Sequence, residues 1–238
     1  MKDITNAIRK YKPIGNFQIV EDILSDNKLK HVLEYMDNTE PISSKWSSGA
    51  MIKHTKNSWQ HGTEDHTSKI WTESVLHKLV TNNFLTWHDI NVLITTFISY
   101  KPGDGYGPHY DSVNMQNRTI NIRQRADISY TIFLNEDYEG GDLIVCGQKV
   151  PKPKANSIIL YDSGQVHEVT PVTKGTRKVI IGWIHTPIKD AKARIALSYC
   201  SYLLNKMTRK VYDDPSQENE DNMNALHYIY QWIERENR

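Results

Sequence analysis

Short apolar runs separated by turn-forming residues characterise the chain between residues 91 and 187. The segment from Ser157 to Tyr161 (Ser-Ile-Ile-Leu-Tyr) and the segment from Arg177 to His185 are two such runs, and Gly, Pro, Asn and Asp residues separate them from their neighbours. Several short strands at regular spacing are typical of a β-sandwich or a β-barrel. This stretch therefore predicts a mainly β core with room for a site at the ends of its strands.

The segments on either side of this core have helical patterns. Residues 1–90 are expected to form a helical N-terminal support region with helices over 19–36 and 65–85, and residues 188–238 a helical C-terminal extension. An acidic, polar link from Asp213 to Asn222 is expected to precede the last helix. The prediction is an α+β chain in which residues 91–187 form a double-stranded β-helix, a cupin-like jelly roll, with helices at both ends.

Two histidines and an aspartate of the β core form a candidate metal site. His109 and Asp111 are two positions apart, and because residues i and i+2 of a strand point to the same face, one strand could bring both to one metal ion. His167 follows the predicted turn at Asp162-Ser-Gly164. Two histidines and one carboxylate are the ligands of non-haem Fe(II) oxygenases. Taken alone, His109 could equally be a loop histidine and Asp111 a turn residue.

Arg177 is a candidate for binding a carboxylate. It begins the strand after His167, so we expect the two residues on neighbouring strands near one end of a sheet. The planar guanidinium stays charged and binds a carboxylate through two hydrogen bonds. Without further context, Arg177 could also be a surface cation beside Lys174 and Lys178.

The stretch from Asn91 to Pro187 resembles the catalytic core of prolyl 4-hydroxylase-type oxygenases that use Fe(II) and 2-oxoglutarate. It is most similar to the branch of bacteria and phages known as PKHD-type hydroxylases. The order, spacing and flanking turns of its motifs agree with that family. These motifs are Tyr100-x-x-Gly-x-x-Tyr-Gly-x-His109-x-Asp111, the run from Arg125 to Asn135, Tyr138-Glu-Gly-Gly-Asp-Leu143, the run from His167 to Arg177, and Trp183.

The resemblance implies a role for each residue of the site. His109, Asp111 and His167 would hold the iron and form the catalytic centre, and Arg177 would bind the distal carboxylate of 2-oxoglutarate. The additional contacts to the co-substrate would come from Tyr100 and Thr131, and Trp183 would close the pocket wall. Collagen-type prolyl 4-hydroxylases usually have a lysine where this chain has Arg177, which weakens any inference of a collagen-like substrate.

The resemblance also implies the cofactors and the reaction. The cofactors are Fe(II), 2-oxoglutarate, O2 and ascorbate, and the reaction is hydroxylation of a C–H bond, foremost in a prolyl residue of a peptide or protein. The alternative substrates are another amino-acid side chain, a small molecule or an alkylated base. A non-catalytic cupin-like binding module is the alternative outside enzymes, although binding alone does not need an open iron site.

Composition and charge fit a protein of the cytoplasm. The formal net charge of +1 creates no strong field toward nucleic acid or an anionic membrane. The two cysteines, Cys146 and Cys200, cannot form a disulfide framework, and the amino terminus lacks an apolar signal region. We therefore expect cytoplasmic residence, including the host cytoplasm if the protein is of phage or viral origin. The oligomeric state stays open.

Two segments are candidates for covering the mouth of the barrel: Ser47 to Thr63, and the link from Asp111 to Arg125. The second is rich in side-chain amides that suit a peptide backbone, namely Asn114, Gln116, Asn117, Asn121 and Gln124. Long polar loops beside active sites often act as lids. We expect residues 113–124 to become ordered when co-substrate and peptide bind, and an ordinary solvated connection is the alternative.

Overall fold

The computed structural model describes residues 13–14, 17–47, 55–62, 91–117 and 122–238. These residues fall into two compact units, one containing residues 14–62 and Asn91–His185 and the other containing Thr186–Arg238. The helix predicted over 65–85 lies outside the described residues, as do residues 48–54 and 63 of the candidate lid from Ser47 to Thr63. The domain boundaries expected from the sequence stay a prediction.

Strands make up most of the described part of the first unit, and the last two helices of the chain belong to the second unit. In chain order the elements are β1 (Pro13–Ile14), β2 (Phe17–Val20), α1 (Asp26–Asn38), β3 (Ile42–Ser43), a 3-10 helix (Ser44–Ser47), β4 (Lys56–Asn57), β5 (Trp59–His61), β6 (Asn91–Tyr100), β7 (Gly105–His109), β8 (Asn114–Asn117), β9 (Ile122–Arg125), β10 (Ile128–Phe133), β11 (Tyr138–Gly140), β12 (Leu143–Val145), β13 (Gln148–Lys149), β14 (Ser157–Asp162), β15 (His167–Val169), β16 (Val172–Gly175), β17 (Arg177–His185), α2 (Ala191–Asp213) and α3 (Gln217–Asn237).

Two antiparallel sheets form the body of this unit. The large sheet has the order β1-β2-β14-β10-β17-β6-β5-β3, and the small sheet has the order β13-β12-β15-β7-β4. A continuous apolar core joins residues of both sheets, with Phe133, Ile159 and Val179 from the large sheet and Leu143 and Val145 from the small one. Two sheets around one core, with neighbours that are distant in sequence, make a double-stranded β-helix. The predicted fold class is confirmed.

The central strands of the large sheet are buried on both faces. Every residue of β10 is buried, and five of the six in β14 are buried. One face lies in the core, and α1 covers part of the other, where the rings of Tyr35 and Phe97 pack edge to face at 5.6 Å. This explains why Ser157–Tyr161 is a continuous apolar run, because a strand buried on both faces does not alternate between apolar and polar residues.

The N-terminal residues contribute strands as well as a helix. The helical pattern predicted over 19–36 divides into β2, which pairs with β14, and α1, which begins only at Asp26. Asp22 has a φ of 59°, a left-handed conformation that turns the chain between the two elements. The apolar residues Ile19 and Val20 therefore belong to a strand, because tertiary pairing with β14 outweighs the local helical spacing.

The second unit contains a hairpin of two long helices. The link between α2 and α3 consists only of residues 214–216, shorter than the predicted link from Asp213 to Asn222. The Ser216 side chain caps α3 by accepting a hydrogen bond from the backbone N–H of Asn219 at 3.3 Å. Glu218 and Glu220 lie in the first turn of α3, where the helix dipole favours negative charge. These acidic residues therefore belong to the beginning of α3 and not to a link between two helices.

Among the residues that the structure describes, no helix combines the length and the apolar composition needed to cross a lipid bilayer.

Asn156 ties the connection between β2 and α1 to the start of β14. Its side chain accepts a hydrogen bond from Leu24 N at 2.7 Å and donates one to Leu24 O at 2.7 Å. Its backbone has a φ of 66°, which asparagine tolerates better than most residues. Asn156→Ala should therefore lower the free energy of unfolding by about 3 kcal/mol, because two hydrogen bonds and the partners of buried backbone groups are lost.

Urea denaturation followed by circular dichroism measures this loss. Asn38→Ala is the matched control, because the Asn38 side chain donates only one exposed bond to Glu34 O, and we expect a change within about 0.5 kcal/mol. Equal effects of the two substitutions would contradict the structural role of Asn156.

Candidate metal centre and co-substrate pocket

Strand pairing in the small sheet brings the two candidate histidines together. His109 ends β7, His167 begins β15, and the two residues lie directly opposite each other in the ladder. Side chains of opposed residues project to the same face, and the centroids of these two imidazoles are 4.2 Å apart. Both side chains are buried at the end of the core.

Asp111 completes the cluster from outside the strand. The sequence argument placed His109 and Asp111 on one strand, but β7 ends at His109 and Asp111 lies in the following coil. One carboxylate oxygen of Asp111 and one ring nitrogen from each of His109 and His167 all lie within 4.8 Å of one another. The coil between β7 and β8 thus brings Asp111 to the two histidines, where a continued strand was expected to do so.

Backbone carbonyls hold both imidazoles in one tautomer. Nδ1 of His109 lies 2.8 Å from Gly107 O, and Nδ1 of His167 lies 3.0 Å from Gln165 O. A carbonyl oxygen only accepts hydrogen bonds, so each Nδ1 carries the proton and each Nε2 keeps its lone pair. Nε2 of His167 lies 3.6 Å from Oδ2 of Asp111. The three residues thus offer two imidazole nitrogens and one carboxylate as donor groups.

A pair of serines orients the carboxylate of Asp111. The Ser129 hydroxyl donates a hydrogen bond to Oδ2 of Asp111, and the hydroxyls of Ser129 and Ser163 lie 2.9 Å apart. Both serines are buried. Carboxylates that bind metals commonly have such hydrogen-bonded partners, which fix the direction of the donor oxygen.

Burial and neighbouring charges keep His109 neutral. Burial, followed by the proximity of His167, lowers the pKa of His109 to about 4, and the hydrogen bond to Gly107 and the charge of Asp111 oppose this shift. A neutral imidazole is the form that binds a metal ion. Lys56 lies on the same side of the site, and burial lowers the pKa of its ammonium while Asp111 raises it.

Arg177 lies deep in the core as a buried cation. Only 1% of the residue is exposed, and its guanidinium carbon lies 5.0 Å from the centroid of the Tyr100 ring and 4.9 Å from that of Phe133. It also hydrogen-bonds to the hydroxyls of Tyr100 and Tyr138. In the part of the chain that the structure describes, nothing accepts a hydrogen bond from its Nε or Nη1. A buried guanidinium with two unused donors fits a carboxylate ligand, since such a charge is costly to leave unpaired.

The location of Arg177 corrects one prediction. His167 and Arg177 were expected on neighbouring strands of one sheet, but β15 belongs to the small sheet and β17 to the large sheet. The chain crosses between the sheets in the segment that contains β16, and among the described strands β16 pairs with β11. Arg177 therefore lies opposite Tyr100 of β6, on the other side of the core from the histidines.

Gly141 makes room for the Arg177 side chain. A Cβ at this position would lie 2.9 Å from Cδ of Arg177 and 2.9 Å from Cγ2 of Val172. The φ of Gly141 is also 61°, a conformation that favours glycine. The second glycine of the Tyr138-Glu-Gly-Gly-Asp motif is thus required sterically by the buried arginine.

Thr131 and Tyr161 lie beside the histidines. Thr131 is buried on β10 and hydrogen-bonds to the Tyr161 hydroxyl, and the Tyr161 ring lies 4.9 Å from the His167 ring. Burial, reinforced by the charge of Asp111, raises the pKa of Tyr161 well above its ordinary value. Its hydroxyl therefore stays protonated and available as a donor.

Trp183 lies opposite Ser129 in the ladder, and its indole N–H is buried without a partner among the described residues.

Sequence reasoning had not assigned roles to Ser129, Tyr138 and Tyr161. Ser129 could have been found from Thr131, because residues two apart on a strand share a face. Tyr138 lies in a motif already noted for its glycines, and Tyr161 ends the predicted strand just before the turn to His167. No local signal reveals that Tyr138 meets Arg177, since the contact depends on the crossing between sheets.

Comparison with known sequences identifies related hydroxylases. A profile of the 2OG-Fe(II) oxygenase superfamily matches residues 95–185. A PKHD-type hydroxylase of Picosynechococcus sp. is 32% identical over 182 residues, which is 74% of this chain and 80% of the relative. A PKHD-type hydroxylase of Nitrobacter winogradskyi is 28% identical over 229 residues, which is 91% of this chain and 99% of the relative.

Solved structures share the fold. A viral collagen prolyl hydroxylase from Paramecium bursaria Chlorella virus-1, in complex with 2OG, aligns with a TM-score of 0.52 at 18% identity, over 72% of this chain and 96% of that chain. A prolyl hydroxylase from Trichoplax adhaerens, in complex with a hypoxia inducible factor peptide fragment, aligns with a TM-score of 0.53 at 14% identity, over 78% of this chain and 90% of that chain.

The pKa of His109 predicts how the stability of the metal-free protein depends on pH. Between the ordinary histidine pKa of about 6.5 and the folded-state value of about 4, the unfolded chain binds a proton that the folded protein does not. The free energy of unfolding should therefore fall as the pH is lowered through this window. Urea denaturation at a series of pH values measures the slope, and His109→Asn should flatten it. The same slope in both proteins would show that another group is responsible.

Proposed function

The chain belongs to the PKHD-type hydroxylases of the 2OG-Fe(II) oxygenase superfamily, and we propose that it hydroxylates a C–H bond of a prolyl residue in a peptide or protein. Membership makes it a dioxygenase whose cofactors are Fe(II), 2-oxoglutarate and O2. The prolyl substrate is the finer part of the proposal. It is supported by the names of the related proteins, among them prolyl hydroxylases that share the fold.

In this proposal His109, Asp111 and His167 hold the iron. Three donors on one side of the ion leave positions open for co-substrate and O2, as in the 2-His-1-carboxylate sites of non-haem iron oxygenases. The neutral Nε2 atoms and the carboxylate oriented by Ser129 fit this ligand set. When bound, the iron and 2-oxoglutarate supply the oxygen activation that amino-acid side chains lack.

The observation that carries the proposal is the buried guanidinium of Arg177 with two unused donors. We propose that Nε and Nη1 bind the distal carboxylate of 2-oxoglutarate, with Tyr100 and Thr131 as further contacts and Tyr138 added by its hydrogen bond to Arg177. Phe133 and the Tyr100 ring exclude water from this carboxylate, which strengthens the charge-assisted hydrogen bonds. A core that provides both a metal ligand set and a carboxylate clamp favours a catalyst over a cupin-like binding module.

The rim of the site suits a peptide ligand. Tyr110 and Val113, on either side of Asp111, are 64% and 70% exposed and offer an aromatic and an apolar surface to a pyrrolidine ring. The candidate lid contains the hairpin of β8 and β9, in which Asn114 pairs with Arg125. Residues 118–121 of this lid lie outside the described residues, and its ordering on binding stays a prediction.

Arg177→Met should raise the apparent KM for 2-oxoglutarate by roughly a hundredfold. Charge-assisted hydrogen bonds contribute about 1.5–3 kcal/mol each, and 1.4 kcal/mol corresponds to a factor of about ten. Succinate formation as a function of 2-oxoglutarate concentration measures the change. Lys174→Met is the control, since Lys174 forms only an exposed ion pair with Glu139 and should leave the KM unchanged. An unaltered KM in Arg177→Met would exclude the role proposed for this arginine.

Gly141→Ala should also raise the apparent KM for 2-oxoglutarate. Its methyl group would displace the Arg177 side chain without removing its charge. The KM for 2-oxoglutarate should increase while Fe(II) binding stays intact. Weakened metal binding with an unchanged KM would instead show that Gly141 supports the small sheet.

The substrate is tested by mass spectrometry of a proline-containing peptide library incubated with Fe(II), 2-oxoglutarate and ascorbate. We expect some peptides to gain the mass of one oxygen atom on proline, and none to do so with Asp111→Ala, which removes one proposed ligand. Succinate without any oxidised peptide would point to another side chain or a small molecule as substrate. No succinate from the wild-type protein would contradict the enzyme and favour the binding module.

A further inference from the structure

Three side chains form a column on one side of His109. Lys56 of β4 lies opposite Tyr106 of β7 in the ladder, so their side chains share a face of the small sheet. The Tyr106 ring packs on the His109 imidazole with centroids 3.6 Å apart and planes inclined by 20°. The Lys56 ammonium lies over the Tyr106 ring, 5.3 Å from its centroid. The order of the column is therefore cation, phenol ring, imidazole.

The contact between the two rings is unusual in its geometry. Aromatic rings prefer offset or edge-to-face contacts with centroids about 4.5–7 Å apart, because facing π-clouds repel each other. Tyr106 and His109 are closer and nearly parallel. An additional attraction would favour this arrangement.

Lys56 supplies that attraction. The imidazole fills one face of the Tyr106 ring at 3.6 Å, so the ammonium above the ring occupies the opposite face. A cation over a ring draws the π-electrons toward itself and reduces the repulsion on the far side. Only 9% of Lys56 is exposed, and a desolvated cation interacts more strongly with a ring than an exposed one.

We propose that Lys56 is a positioning residue for His109: its ammonium keeps Tyr106 flat against the imidazole and so keeps Nε2 directed toward His167 and Asp111. The hydrogen bond from Nδ1 to Gly107 O fixes one point of the ring, and the column fixes its plane. This inference rests on the proposed function, in which His109 is an iron ligand.

If Lys56 acted on the metal site only through its charge, removing it would have the opposite effect on metal binding. A positive charge near a metal site repels a divalent cation, so removing the Lys56 charge should strengthen metal binding if repulsion dominates. If Lys56 acts by positioning the imidazole, removing it should weaken metal binding. The direction of the change therefore distinguishes the two explanations.

The experiment is titration of the metal-free protein with Co(II), followed by visible absorption, which needs no turnover. Lys56→Met should raise the Kd for Co(II) by roughly tenfold, the factor that corresponds to about 1.4 kcal/mol. Lys56→Arg keeps a cation over the ring and should bind Co(II) nearly as the wild type does. Lys101→Met is the matched control, because the Lys101 ammonium lies 4.9 Å from the Trp59 ring in a pair that contacts none of the proposed ligands.

Tyr106→Leu tests the column independently and guards against a folding defect in Lys56→Met. It should weaken Co(II) binding, and adding Lys56→Met should then have no further effect, because the lysine acts through the ring. Unchanged or tighter Co(II) binding by Lys56→Met, or additive effects in the double variant, would overturn the inference and leave the proposed function intact. Wild-type binding no tighter than that of Asp111→Ala would overturn both.

Discussion

The Arg177 side chain carries a full positive charge into the space between the two sheets, where water is excluded. Several features of the core follow from accommodating it. Gly141 has no side chain because a Cβ would strike Cδ of Arg177, and the rings of Tyr100 and Phe133 cover the guanidinium. The hydroxyls of Tyr100 and Tyr138 take up part of its hydrogen-bonding capacity. In the proposed function, the remaining donors bind the carboxylate of the co-substrate, and the surroundings of this one residue would then determine the shape of the pocket.

The fold class could be predicted, and the candidate site residues could be proposed, because their sequence signals are local. The apolar run at Ser157–Tyr161 and the run at Arg177–His185 both form strands, the second with the predicted bounds. The candidate metal-binding triad is detectable because His109 and Asp111 are close in sequence and His167 follows a recognisable turn. Arg177 could be proposed as a carboxylate-binding residue because few side chains donate two hydrogen bonds to one carboxylate.

The remaining features depend on contacts between distant segments. The pattern over 19–36 is compatible with a helix, and only pairing with β14 makes Ile19 and Val20 part of a strand. The separation of His167 and Arg177 onto different sheets depends on where the chain crosses the core, and no spacing along the sequence encodes that crossing. The Lys56–Tyr106–His109 column joins segments about fifty residues apart, so it becomes visible only in three dimensions.

The location of His109 and His167 on the small sheet and of Arg177 on the large sheet has a consequence for chemical selectivity. The gap between the sheets is set by the packed core residues and changes little, because protein interiors are close-packed. In the proposed pocket, the width of this gap would determine the length of a diacid that can be bound at both ends. A homologue of 2-oxoglutarate with one additional methylene would have to buckle or release one end, and a shorter diacid would reach only one anchor. Selectivity among 2-oxo acids would thus be a property of the core packing as much as of the residues that touch the ligand.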